Sequence, residues 1–251
     1  MMRRPGRGAR TTRVTTWVAL AVVAVLGTEI GLATTKSPTV RAPSPEQLLR
    51  ESLTVAGAAD AFHYRAVWRA NGVSQIVVGD ARPASGSESI VVGGDRFTAV
   101  FTGQMAYFEG NAAALRDQLG LPVATASAND DKWISLQPSD GPYGSVEEGV
   151  TTSAALAQVV IAPLATSHPR RTHGVVVSRI TGRIPHGRVV TGSARLDLVS
   201  RSKLPTTYVA HGSNGGKPWS STIAFSHWGA SVGIKGPTAG ALPFSSLVPV
   251  A

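Results

Sequence analysis

The stretch Phe62-His63-Tyr64-Arg65-Ala66-Val67-Trp68-Arg69 decides how this chain folds. Phe62, Tyr64, Ala66 and Trp68 fall on one side of an extended chain, with His63, Arg65 and Arg69 on the other. Successive side chains of a strand point to opposite faces, so this period of two describes a half-buried strand. Asn71-Gly72 follows, a pair suited to the positive φ of a tight hairpin, and Val73–Val78 is the returning strand. Gly93-Gly94-Asp95 then separates Ser89–Val92 from Phe97–Phe101, and Thr102-Gly103-Gln104 separates that run from Met105–Phe108. The reading is an antiparallel meander.

Outward from this core, the period changes. Ser44 is placed to cap a helix, Pro45 suits its first position, Gln47 completes a capping box, and Leu48, Leu49, Leu53 and Ala56 form one stripe. Asn111 caps a second helix over Ala112–Leu119, ended by Gly120 and Pro122. Trp133–Leu136 reads as a strand, residues 137–150 as polar turns, and a third helix starts at Thr152 or Ser153 and runs to about Ala162. Strands return at Val175–Arg183, Arg188–Val199, Pro205–Ala210 and Ser221–Trp228. The expected class is α+β: one antiparallel sheet with about three helices on one face. Two domains split near residue 150 would leave sheets too small to bury much area alone.

The chain begins with a basic stretch, Arg3 to Arg13, that runs into the apolar segment Val14–Ala33. Twenty helical residues span roughly 30 Å, the thickness of a bilayer's hydrocarbon core. The arginines hold their flank in the cytoplasm by the positive-inside rule, which puts everything beyond Lys36 outside. The alternative is a signal peptide cleaved near Ala33, and it places the rest of the chain in the same compartment. The expected organisation is a cytoplasmic segment at 1–13, a transmembrane anchor or signal helix at 14–33, and a linker at 34–43. A domain at 44–236 follows, then an extended tail at 237–251 rich in proline.

Hydrophobic residues make up 43% and charged residues 16% of the 251 residues, which excludes disorder for the bulk of the chain. With no cysteine there are no disulfides, thiolate metal sites or cysteine nucleophiles. The net charge of +9 is unevenly spread: six basic residues and one acid at 1–36, eight and thirteen at 37–150, ten and one at 151–251. With the terminal cluster explained by topology, nucleic acid is not the expected partner. His168 and His173 are wrongly spaced for a helical zinc pair. There is no Gly-x-Ser-x-Gly elbow and no phosphate-cradling loop, and Asp130-Asp131 and Glu147-Glu148 read as exposed loop charge. No catalytic residue, metal or cofactor is assigned, and an enzyme is not expected.

The chain resembles the LolA and LppX/LprG type of envelope lipoprotein domain common in actinobacteria. The resemblance rests on Phe62–Trp68 after a short helix, on Met105-Ala106-Tyr107-Phe108-Glu109-Gly110-Asn111 leading into Ala112–Leu119, on Lys132-Trp133-Ile134-Ser135, and on Phe225-Ser226-His227-Trp228-Gly229. It covers roughly residues 44–245. It implies a half-barrel whose concave face holds acyl chains under covering helices. Where a lipoprotein carries cysteine, Gly31-Leu32-Ala33 is followed here by Thr34. Anchoring then falls to the helix itself, which fits a tethered relay, sensor or assembly factor better than a shuttle.

Phe62, Tyr64, Trp68, Phe97, Phe101, Tyr107, Trp133, Tyr208 and Phe225, with Leu196 and Leu198, are the candidates to line a cavity for the apolar part of such a ligand. The same residues would equally fill a sheet–helix core, because a core face and a cavity wall are both apolar. Arg179, Arg183, Arg188 and Arg195, with Asp197 the only acid nearby, are the candidates to hold an anionic headgroup. Their other reading is solvated pairing with the acidic first half. The function expected is a non-catalytic, membrane-tethered domain outside the cytoplasm that binds a lipid or other amphiphile. A protein-interaction or assembly module with a filled core is the alternative, its partner left open.

Overall fold

The computed structural model describes residues 42–172, 174–185, 190–238 and 240–248. The segments at 1–13 and 14–33 and nearly all of the linker lie outside these, as does Arg188. In chain order the elements are α1 (Pro45–Gly57), β1 (Phe62–Ala70), β2 (Val73–Arg82), β3 (Ser85–Val92), β4 (Asp95–Phe101) and β5 (Ala106–Gly110). Then come α2 (Ala112–Leu119), α3 (Val123–Ala128), β6 (Ile134–Leu136), α4 (Tyr143–Gly149), α5 (Thr152–Ala157), β7 (Ala162–Thr166) and β8 (Arg170–Thr172). The last are β9 (Val175–Arg183), β10 (Val190–Val199), β11 (Pro205–Asn214), β12 (Lys217–Ser226) and β13 (Leu242–Pro243).

The strands make one open, curved sheet in the order β13-β6-β5-β4-β3-β2-β1-β12-β11-β10-β9-β7, with β8 also paired to β9. Every pairing is antiparallel except β13 with β6. The β1–β2 turn has both residues at positive φ, Asn71 at 53° and Gly72 at 78°, as the hairpin signal required. In α1 the Ser44 side chain accepts from the Gln47 backbone N–H at 3.2 Å. In α2 Asn111 does the same for Ala114, and Gly120 ends the helix at φ 71°.

One face of the sheet carries the core. Phe62 and Tyr64 of β1, Ile90 of β3, Phe97 and Phe101 of β4, Phe108 of β5 and Ile134 of β6 are buried on it. Ile180, Leu196, Leu198, Tyr208, Ile223 and Phe225 continue it across the other half. The helices lie on this face, α1 against β7, β9 and β11, α2 and α4 against β4 and β5, and α5 against β2. Aromatic rings fill much of the space between. Phe62 meets Trp228 at 4.4 Å and Phe225 at 5.8 Å between centroids, Phe97 stacks on Phe108 at 5.0 Å, and Phe101 meets Tyr143 at 6.0 Å.

Among the described residues there are five short helices: α1 and α2 keep the expected bounds, and α3 and α4 are added where the sequence showed no helix. The third expected helix ends at Ala157, because Val159, Val160 and Ile161 are β-branched and lead into β7. The tail returns to the sheet: Leu242 and Pro243 pair with Ile134 and Ser135. On the way it crosses the outer face, where a Cβ on Gly236 would stand 2.5 Å from the Tyr107 ring. Among the described residues no helix is long and apolar enough to cross a membrane.

Candidate functional site

The inner face is not covered to its end. Trp68 continues the row of Phe62, Tyr64 and Ala66 on β1, yet it is 40% exposed while those three are buried. Its cross-strand neighbours are Gln75 and Ser221. One row further out, Ala70 pairs with Val73 and Trp219. Val73 is 42% exposed, and Trp219 is half-buried against the core. Around this tip lies an open depression of about 860 Å³. Ala70, Val73, Pro218 and Trp219 supply its apolar lining, and Arg69 and Lys217 its charge.

The two tryptophans of β12 and its exit are held differently. Trp228 donates its indole N–H to the Pro205 carbonyl at 2.8 Å, whereas Trp219 Nε1 is buried without a partner among the described residues. Trp219 is held by packing against the core. The floor beside it is made of small residues: Gly212 opposite Trp219, Gly192 opposite Gly212, and Ala210 opposite Ser221.

Deeper on the same face sits a buried carboxyl. Tyr64, Gly79 and Glu88 are cross-strand neighbours on β1, β2 and β3. The Tyr64 ring lies over Gly79, where a Cβ would come within 2.7 Å of it, and the phenol donates a hydrogen bond to Glu88. Burial pushes the Glu88 carboxyl up to about 7, and burial with Glu88 beside it raises the Tyr64 phenol well above its usual range. Tyr208 is also raised, to about 12, chiefly by burial, and donates to the Val160 carbonyl at 2.7 Å.

Of the residues singled out in the sequence, Phe62, Tyr64, Phe97, Phe101, Leu196, Leu198, Tyr208 and Phe225 are buried on the inner face. Trp68 is on that face but exposed. Tyr107 and Trp133 require a correction. They alternate with the buried Ala106, Phe108 and Ile134, so both take the outward phase and neither lines the inner face.

The arginines need correcting too. On β9 and β10 the buried residues Ile180, Leu196 and Leu198 hold the even positions, which sends Arg179, Arg183 and Arg195 to the outer face. They cannot rim the aromatic face. Arg179 is engaged by Asp197 at 2.6 and 3.0 Å. The cations that stand at the uncovered tip are Arg69 and Lys217 instead. Sequence reasoning missed both, along with Trp219 and Glu88. The signal for Glu88 was its phase: Gly86, Glu88 and Ile90 alternate along one strand. Among the described residues no group of His, Asp and Glu is gathered to hold a metal ion.

No family model and no curated protein sequence matches the chain. Among solved structures it is similar to the lipoprotein LppX of Mycobacterium tuberculosis, with 15% identity and a TM-score of 0.46 over 75% of this chain and 96% of that one. It is also similar to a LolA superfamily protein from Nitrosomonas europaea, at 11% identity and a TM-score of 0.29, covering 83% and 99% of the two chains. For MucB in complex with MucA(peri) the values are 12% and 0.35, over 78% of this chain and 60% of that one. The similar structures include proteins of the LppX and LolA types named above.

Proposed function

We propose that this chain is a membrane-tethered domain outside the cytoplasm that binds a lipid or similar amphiphile without chemistry on it. The apolar part of the ligand would lie on the uncovered end of the inner face, against Trp68, Val73 and Trp219. One observation carries this reading: the apolar face runs on past its helices and leaves Trp68 and Val73 exposed beside Arg69 and Lys217. An apolar surface flanked by cations suits a molecule with a greasy end and an anionic or zwitterionic one. Covering the exposed part of Trp68 alone is worth roughly 2 kcal/mol. Tethering is assigned to the apolar segment 14–33, and N-terminal sequencing of the mature protein distinguishes retention from cleavage near Ala33.

Native mass spectrometry of the full chain, purified in mild detergent from a bacterial host, tests the binding. Lipid should be retained by the wild type and lost from Trp68→Ala/Trp219→Ala. Equal retention in both, or none in either, would contradict the proposal. A second reading, a protein-interaction module, is favoured by the ring pairs that fill much of the interior. It predicts wild-type protein free of lipid.

A further inference from the structure

We propose that the outer face of β1, β12, β11, β10 and β9 docks on an anionic lipid bilayer. This surface meets the tip of the inner face only at Arg69, and it does not rest on ligand binding there. Arg65 and Arg69 of β1, Arg195 of β10 and Arg183 of β9 all stand on it, and all are exposed. No carboxylate of the described residues pairs with any of them. The acid that belongs to this part of the face, Asp197, is occupied by Arg179. The β5 part of the same face is crossed by the tail at Gly236, whereas the arginines of the cationic part are exposed.

The spread of the charges selects the partner. Arg69 and Arg183 close one cross-strand row four strand spacings apart, roughly 19 Å, and Arg65 lies about 13 Å from Arg69 along β1. Arg195 stands in the row between. The cations therefore mark out an area, not a line, and hydroxyls such as Ser220 and Thr222 lie among them. A thread-like polyanion is matched by a file of cations along a groove. A planar array of phosphates is matched by this. An anchor at 14–33, as proposed above, would hold the face at high effective concentration near the bilayer.

The chain has no cysteine, so a single fluorophore can be placed at Thr222→Cys, an exposed position within the patch. The full chain is put in nanodiscs of phosphatidylcholine with or without phosphatidylglycerol, together with a quencher attached to lipid headgroups. Quenching is expected in the anionic discs only and should be reversed by salt, since the contacts are exposed charges. Replacing Arg65, Arg69, Arg183 and Arg195 by glutamine should weaken it roughly fivefold per residue, and replacing them by lysine should preserve it. The lysine variant keeps the test valid should the glutamine variant fail to fold. A label at Val123→Cys on α3, 66% exposed, reports nonspecific adsorption and should stay unquenched. Quenching at Thr222→Cys that ignores lipid charge would overturn the proposal. So would a label that responds to soluble polyaspartate but never to anionic discs, which would assign the face to a polymer.

Discussion

Glu88 is an ionisable side chain in the middle of an apolar face, 5% exposed, with the Tyr64 phenol as its partner. Its carboxyl is raised from 4.5 in the unfolded chain to about 7 in the fold, so between these values the folded state holds the extra proton. Stability from this group is full below pH 4.5 and is lost as the pH rises through 7. The loss is on the order of 3 kcal/mol. Thermal unfolding between pH 5 and 8 should show the melting temperature of the wild type falling relative to that of Glu88→Gln. Parallel curves for the two proteins would show that Glu88 ionises normally. Gly79 belongs to the same unit: alanine there would press on the Tyr64 ring and cost about 1–3 kcal/mol, read by denaturant unfolding. None of this was legible in the sequence, where Glu88 looked like one acid among thirteen.

At the scale of elements, the sequence was most readable where local chemistry and tertiary structure agree. The β1–β2 hairpin and the caps at Ser44 and Asn111 formed where residue type predicted them, because each satisfies a local backbone requirement. The short helices were another matter. α3 and α4 span six and seven residues, too few for a 3.6-residue period to show, and Gly141-Pro142, Gly144 and Gly149 read as turns. What fixes α4 is packing. The Val150 carbonyl beyond its end sits where a Cβ on Gly86 would have to stand. Gly86→Ala should therefore push the α4–α5 connection off β3 and cost at least about 2–3 kcal/mol, seen as a lowered denaturant midpoint. In the β1–β2 turn, Gly72→Val places a β-branched residue at positive φ and should cost about 1–2 kcal/mol. Because this turn borders the depression, the same variant should also weaken amphiphile binding with Trp68 intact.

At the scale of the whole molecule, a one-sided sheet explains which part of the site could be read in advance. Alternation told which residues share a face within a strand, and it placed Phe62, Tyr64, Ala66 and Trp68 together. It could not tell how far the helices reach, so the covered Tyr64 and the open Trp68 looked alike in sequence. Nor did it align one strand with the next, and so Arg69 and Lys217, far apart along the chain, were not seen to meet at one tip. The arginines of β9 and β10 show the reverse case. Their odd positions among even apolar ones already sent them to the outer face, where the structure places them.

Photo-crosslinking asks most directly whether that open tip receives a ligand. The full chain would be expressed in cells fed a fatty acid with a diazirine near its end, irradiated, and mapped by peptide mass spectrometry. Acyl adducts are expected on peptides holding Trp68 to Ser74 and Lys217 to Ser221, and they should disappear in Trp68→Ala/Trp219→Ala. Adducts confined to residues 14–33, with the tip unlabelled, would contradict it.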